Sequence, residues 1–440
     1  MANLKPFKGI RYNPEKVGDI ATVISQPYDR VRHGLQDKYY DLNDYNVVRM
    51  IKGKEFEGDH VNENVYTRAQ AFLSKWLAEG VLKYEEKPAL YVYHQEFVLN
   101  GETITRKAVI SALELARFEE GIVLPHEKTH DGPKMDRLML TRATQAYYGN
   151  IFILYPDAEN KIDAILDTAI QREPDVDVRE LFEKDVRQML WVVTDEEVLA
   201  AVQAEMAPKT GLIIADGHHR YETAITYRDE QREKFPNAPA DAAFNYLLVA
   251  LVSMSNPGLT ILPTHRLIFD YNRMSVDEVI AKAAEYFTIE EVADRATLEA
   301  RMETKIGEMG CFGMVTKSGV YALDLKSTTV MEELAPSRKK SWQTLDASIL
   351  HKLILEHVMG ISEAQIDAKE GIDYLREPDL GYEQVANEET AFLFIVNATR
   401  MDQITACTAD DEKMPQKSTD FYPKIVTGLS ILDVSADTQL

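Results

Sequence analysis

At 440 residues the chain is longer than one ordinary domain, and its 45% hydrophobic and 28% charged residues are the composition of a soluble globular protein. A net charge of −23 repels a nucleic-acid backbone, and two cysteines far apart, Cys311 and Cys407, argue against a disulfide framework and fit a reducing cytoplasm. The N-terminus lacks the apolar core of a signal peptide, and the longest apolar stretch, 242–254, is too short and interrupted to span a bilayer. A cytoplasmic protein of two or three domains, with no nucleic-acid or membrane partner, is expected.

In chain order, residues 7–31 read as a short strand region ending in Gln26-Pro-Tyr-Asp29, where Pro27 enforces an extended approach. Apolar spacing from Tyr66 to Leu77 predicts a helix over 62–80, ended by Gly80. Segments 90–97 and 103–115 alternate as strands, and Asn100-Gly101 between them is a strong hairpin signal. A buried strand is expected at 151–155, another at 190–193, and a helix start at Thr194-Asp-Glu-Glu197. After 211–235 come a buried strand near 246–253, a turn at Pro257-Gly258 and a strand at 259–262. Residues 273–345 read as a semi-independent α/β piece, with helices at 275–286 and 295–308 and a strand pair at 311–325. Strands follow at 391–396 and 404–407, then a basic loop from Lys413 to Lys424.

The most informative segment is Gly211 to Ala224. An apolar run, Leu212 to Ala215, breaks at Asp216-Gly217, and a helical pattern starts near Tyr221. Backbone N–H groups at a helix start form an anion site, Gly217 admits close approach, and Arg220 offers a fork to phosphate. His218, His219 and Asp216 add acid/base groups beside it. Four other segments crowd reactive side chains into turns. Tyr28 and Asp29 lie in the first. His126 and Glu127 lie in the second, with Asp136 and Arg137 beyond, where carboxylates could hold a divalent cation or act as a base. His265 and Arg266 follow a buried strand. If the strands before Asp216 and Pro263 are neighbours, both basic clusters meet at one sheet end. Lys417, Ser418, Thr419 and Lys424 form the last group, suited to phosphate oxygens.

His126-Glu-Lys-Thr-His130 has the letters of a zinc-protease motif, but Pro125 before it and Gly132-Pro133 after it disfavour the helix that motif needs. GxxxxGK[ST], GxGxxG and GxSxG are absent from the sequence.

Taken together, Gln26-Pro-Tyr-Asp29, His126-Glu-Lys-Thr129, Asp136-Arg137-Leu138, Ala215-Asp-Gly-His-His-Arg-Tyr221, Leu262-Pro-Thr-His-Arg266 and Lys417-Ser-Thr-Asp-Phe-Tyr-Pro-Lys424 resemble the bacterial family called "domain of unknown function 1015", in order and over nearly the whole chain. The Asp216-to-Arg220 loop is also similar to the phosphate-binding loop of the ParB/sulfiredoxin-like superfamily, which includes free serine kinases. That resemblance implies a mixed α/β fold with a ParB/sulfiredoxin-like core (residues 1–272 plus 346–440) and an inserted α/β lobe at 273–345. It implies phosphoryl contacts for Asp216, Gly217, His218, His219 and Arg220. Sulfiredoxin activity needs a cysteine where this chain has histidine, and a DNA clamp needs a basic surface. The expectation is therefore a small-molecule phosphotransferase using ATP, ADP or pyrophosphate with Mg²⁺, its acceptor a small hydroxyl compound such as L-serine. The catalytic group would be Asp216, His218, His219 and Glu127. Gly217, Arg220, His265, Arg266, Lys417, Ser418 and Lys424 would hold phosphate or nucleotide, with Tyr28, Asp29, His126, Asp136 and Arg137 lining the substrate or the framework. The alternative is a ParB-like nucleotide-binding regulator without transfer.

Overall fold

A computed structural model describes residues 1–440 except 33, 128–131 and 389, and the side chains of residues 132 and 133. The chain is mixed α+β and forms two compact units. The first comprises Met1–Pro125, Thr129–Leu259 and Pro423–Leu440, the second His126–Lys128 and Thr260–Tyr422. This corrects the expected lobe at 273–345. Its strands Phe287–Val292, Cys311–Thr316 and Gly319–Leu325 share one antiparallel sheet with Phe392–Ile395, His265–Ile268 and Ile372–Leu375, from outside that range. A strand needs its sheet neighbours for backbone hydrogen bonds, so the boundary moves out to enclose them.

The first unit is built on a mixed sheet whose neighbours run Val123–Pro125, Leu212–Asp216, Ile151–Tyr155, Tyr246–Ser253, Glu102–Glu114, Leu90–Leu99, Val186–Val193 and Val176–Arg179. Its central strands are Val-, Ile- and Leu-rich; Ile151–Tyr155 and Tyr246–Ser253 are buried along their whole lengths, as strands covered on both faces must be. The hairpin forms as expected: Asn100 (φ 52°) and Gly101 (φ 81°) take the two positive-φ positions of a type I′ turn. The helix Val65–Ala78 is capped by Asn64 and buries Ala69, Leu73 and Trp76 against Tyr12, Val47 and Met50.

Two local expectations change. The segment around 404–407 is not a strand but part of the helix Met401–Ala409, with Ile404, Cys407 and Thr408 buried. Four apolar-leaning residues are too few to separate the two periods, and Gln403 closing a capping box on Arg400 decides for helix. The N-terminal region holds only the short strands Leu4–Lys5 and Ile10–Tyr12, then helical turns at Pro14–Val17 and Ile20–Thr22, where Asn13 and Asp19 cap.

Candidate functional site

The strand Leu212–Asp216 pairs with Ile151–Tyr155 through a bulge between Ile214 and Asp216. A bulge re-aims the side chain that follows it. Gly217 then turns the chain at φ 98°, and the helix His218–Lys234 starts at once. The helix therefore begins three residues earlier than expected: His218, His219 and Arg220 form its first turn rather than a loop. Gly217 has no side chain to cap it, and the positive end of the helix dipole lies next to Asp216 in the chain. A Cβ at Gly217 would meet Arg220 Nη2 and Ile151 Cδ1 at 2.9 Å, which leaves glycine as the residue that fits.

Arg220 donates from Nη1 to the Asn150 carbonyl at 2.9 Å and from Nη2 to Asp216 Oδ2 at 3.1 Å. Lys424 Nζ lies 3.7 Å from the other oxygen, Asp216 Oδ1. A single carboxylate thus holds two cations at a helix start. His218 is buried and His219 half-buried. Beside them a cavity of about 50 Å³ is lined by Tyr28, Arg137, Gly149, Tyr148, Arg220 and Thr427, among others. The Arg137 guanidinium stacks on the Tyr28 ring at 4.1 Å and is held by Asp136 and by the Ile51 carbonyl. Asp136 also accepts from Tyr66 at 2.9 Å. Burial pushes the Tyr28 phenol above its ordinary value, with Arg220 opposing and the exposed Asp29 adding to the rise.

The second unit carries the remaining candidates. His126 Nε2 lies 2.8 Å from Thr419 Oγ1 and 3.8 Å from Glu127 Oε1. Arg266 is 2% exposed; it donates to the Thr264 carbonyl, to the Lys417 carbonyl at 3.1 Å and to His351 Nε2 at 3.2 Å, with the Tyr374 ring 5.3 Å away. Burial lowers it to about 10. His265 accepts from the Val396 amide through Nδ1, and burial first, then Arg266, lowers it to about 4. Ser418 donates to the Pro415 carbonyl at 2.6 Å. The strands before Asp216 and Pro263 are not neighbours: Thr260–Leu262 pairs with Asp420–Tyr422 in a sheet of its own. The expected meeting of both basic clusters at one sheet end does not arise from the topology, because Arg266 sits in the interior of another sheet.

His126 and Glu127 lie outside helix, and residues 128–130 of the zinc-like motif fall outside the described residues. Among the described residues no group of three or more His, Cys, Asp or Glu side chains is arranged to hold a metal ion. Sequence reading missed Gly149 and Asn150, which receive Arg220: a Cβ at Gly149 would sit 3.0 Å from Arg220 Nη1. A Gly-Asn pair directly before a buried strand was the available signal.

The architecture is that of a mixed α+β protein, with a carboxylate flanked by two cations at a helix start. The chain matches the family described as "Protein of unknown function (DUF1015)" over residues 4–348 and belongs to it. No curated protein matches. Among solved structures it is similar to a free serine kinase in complex with AMP (11% identity, TM-score 0.36, covering 75% of this chain and 92% of that one). A conserved hypothetical protein from Pyrococcus furiosus gives 12% identity and TM-score 0.34 over 75% and 96%. SbnI from Staphylococcus aureus, C-terminally truncated, gives 10% and 0.34 over 74% and 87%. At such scores nothing about this chain's chemistry follows from them. No helix among the described residues is long and apolar enough to cross a membrane.

Proposed function

We propose that this protein is a phosphotransferase that moves a phosphoryl group between a phosphate donor and a small hydroxyl compound, with L-serine the acceptor to test first. The observation that carries the reading is Asp216 flanked by Arg220 at 3.1 Å and Lys424 at 3.7 Å where the chain turns at Gly217 into a helix.

Phosphoryl transfer asks for positioning and charge neutralisation more than for covalent chemistry. The donor phosphate would accept from the first amides of the helix and from Arg220 and Lys424, whose charges offset the negative charge carried into the transition state. His218 and His219 would hydrogen-bond the transferring group. The bridging P–O bond of the donor breaks, the acceptor oxygen bonds phosphorus, and the hydroxyl proton passes to Asp216. Mg²⁺ would arrive on the donor's phosphate oxygens and keep waters as its other ligands, as that ion commonly does. ATP, ADP and pyrophosphate are all candidate donors.

The test mixes purified protein, Mg²⁺ and L-serine with each donor and measures phosphoserine. Product with one donor supports the reading; absence of product with all three, in protein shown to be folded, removes it.

A further inference from the structure

The sheet face behind the Asp216 site carries a row of buried polar side chains where an apolar row would be more stable. Gln188, Gln95 and Arg106 are cross-strand partners, Gln188 opposite Gln95 and Gln95 opposite Arg106. They are 0%, 1% and 1% exposed. Burying a guanidinium and two amides costs free energy unless they are hydrogen-bonded, and hydrophobic replacements would often be at least as stable. The use of these groups is visible in what they hold. Arg106 donates to Gln95 Oε1 and, at 2.5 Å, to the Pro423 carbonyl. Gln95 Nε2 donates to the Lys424 carbonyl at 2.9 Å. Tyr93, buried two residues before Gln95 on the same face, donates to Gln188, and its phenol lies near the Val426 amide. Gln188 is anchored in turn on Glu180. Two side chains of one hairpin strand pair therefore grip the carbonyls of Pro423 and Lys424, with Tyr93 against the next stretch of backbone. Arg106 also lies over the Phe152 ring at 4.6 Å, and Phe152 is the sheet partner of Asp216. Gly258 presses on the same strand: a Cβ there would come within 2.1 Å of the Thr105 carbonyl oxygen.

We infer that Gln95, Arg106 and Tyr93 are positioning residues: they form a buried clamp that fixes the backbone of residues 423–426 and so sets the Lys424 ammonium beside Asp216 to meet a phosphate. This rests on the phosphate-site reading given above. The clamp touches no phosphate; it acts through Lys424.

A double-mutant cycle read by calorimetric titration with inorganic pyrophosphate tests this, with thermal unfolding run on every variant. Lys424→Ala is expected to weaken pyrophosphate binding about tenfold, and Gln95→Leu by a similar factor, within the range coupled neighbours show. The double variant should bind no more weakly than Lys424→Ala alone, because the clamp acts only through that ammonium. Tyr93→Phe, which deletes one hydroxyl and is the milder change, should show the same non-additivity with a smaller loss. Arg106→Lys should recover part of what Arg106→Met loses. Wild-type affinity in Gln95→Leu and Tyr93→Phe, or losses that multiply in the doubles, overturns the clamp while leaving the phosphate site standing. Unchanged affinity in Lys424→Ala overturns the phosphate reading itself, and the clamp's role with it.

Discussion

Two His-Arg clusters that look alike as letters have opposite fates in the two units. In the first, Arg220 keeps its guanidinium at 15% side-chain exposure against a carboxylate, at the mouth of a helix. In the second, Arg266 is fully enclosed and its donors go to two carbonyls and an imidazole. A cation that has to receive a phosphate must be able to exchange partners with water and ligand. One that holds buried carbonyls cannot leave them without exposing unsatisfied acceptors. The difference teaches that burial and donor use, not residue type, decide whether an arginine is able to exchange partners.

The sharpest way to break this comparison is Arg266→Met. It leaves the carbonyls of Thr264 and Lys417 without their donor and is expected to cost about 4 kcal/mol of unfolding free energy. Pyrophosphate binding by the fraction that stays folded should be unchanged. Denaturant titration alongside calorimetry checks both, and a loss of affinity without loss of stability would place Arg266 with Arg220.

The next effect concerns pH. The native His265 titrates at about 4, below the ordinary imidazole value, so the unfolded chain takes up the proton first as pH falls. The stability held by neutral His265 is fully present above about pH 6.5 and drains away between there and pH 4, on the order of 3 kcal/mol in total. Carboxyls raised by burial, Asp346 to about 6 and Glu180 to about 8, slope the other way, so the difference between wild type and His265→Gln is what isolates the histidine. Wild-type stability should fall more steeply than the variant's from pH 7 to pH 4.5; parallel profiles would show that His265 is not held neutral.

Much of this was legible in the sequence, and the failures have physical causes. The hairpin register follows from Asn100-Gly101 alone: pairing outward from a two-residue turn puts Gln95 opposite Arg106, so a buried polar pair could have been read before any coordinates. The strand into Asp216 was legible from its apolar run. The helix start was not, because His218, His219 and Arg220 carry no apolar periodicity, and only the αL turn at Gly217 marks the boundary. The segmentation failed for a similar reason: 273–345 has self-contained patterns, while its sheet partners at 265–268 and 392–395 are distant in sequence. Long-range strand pairing leaves no local trace.

Within the first unit, Gly217→Ala comes next. It asks a Cβ to accept φ 98° and to displace Arg220 and Ile151 side-chain ends, for a cost of about 2 kcal/mol. Because the displaced group is the arginine proposed to meet phosphate, pyrophosphate affinity should fall with stability. Alanine tolerated without either loss would show that the tight turn is not what shapes the site.

The smallest and most discriminating change is Arg220→Lys. It keeps the charge but replaces a planar fork, held at once by the Asn150 carbonyl and Asp216, with a single ammonium. If Arg220 contributes mainly charge, calorimetry with pyrophosphate should show little change at low ionic strength and a loss only as salt rises. If the fork geometry matters, affinity should fall about fivefold, or about 1 kcal/mol, at every salt concentration. The fork is expected to matter, because one amino group cannot satisfy Asn150, pair with Asp216 and still reach a phosphate. A lysine variant indistinguishable from wild type at all salt concentrations would reduce Arg220 to the framework role that Arg266 fills in the second unit.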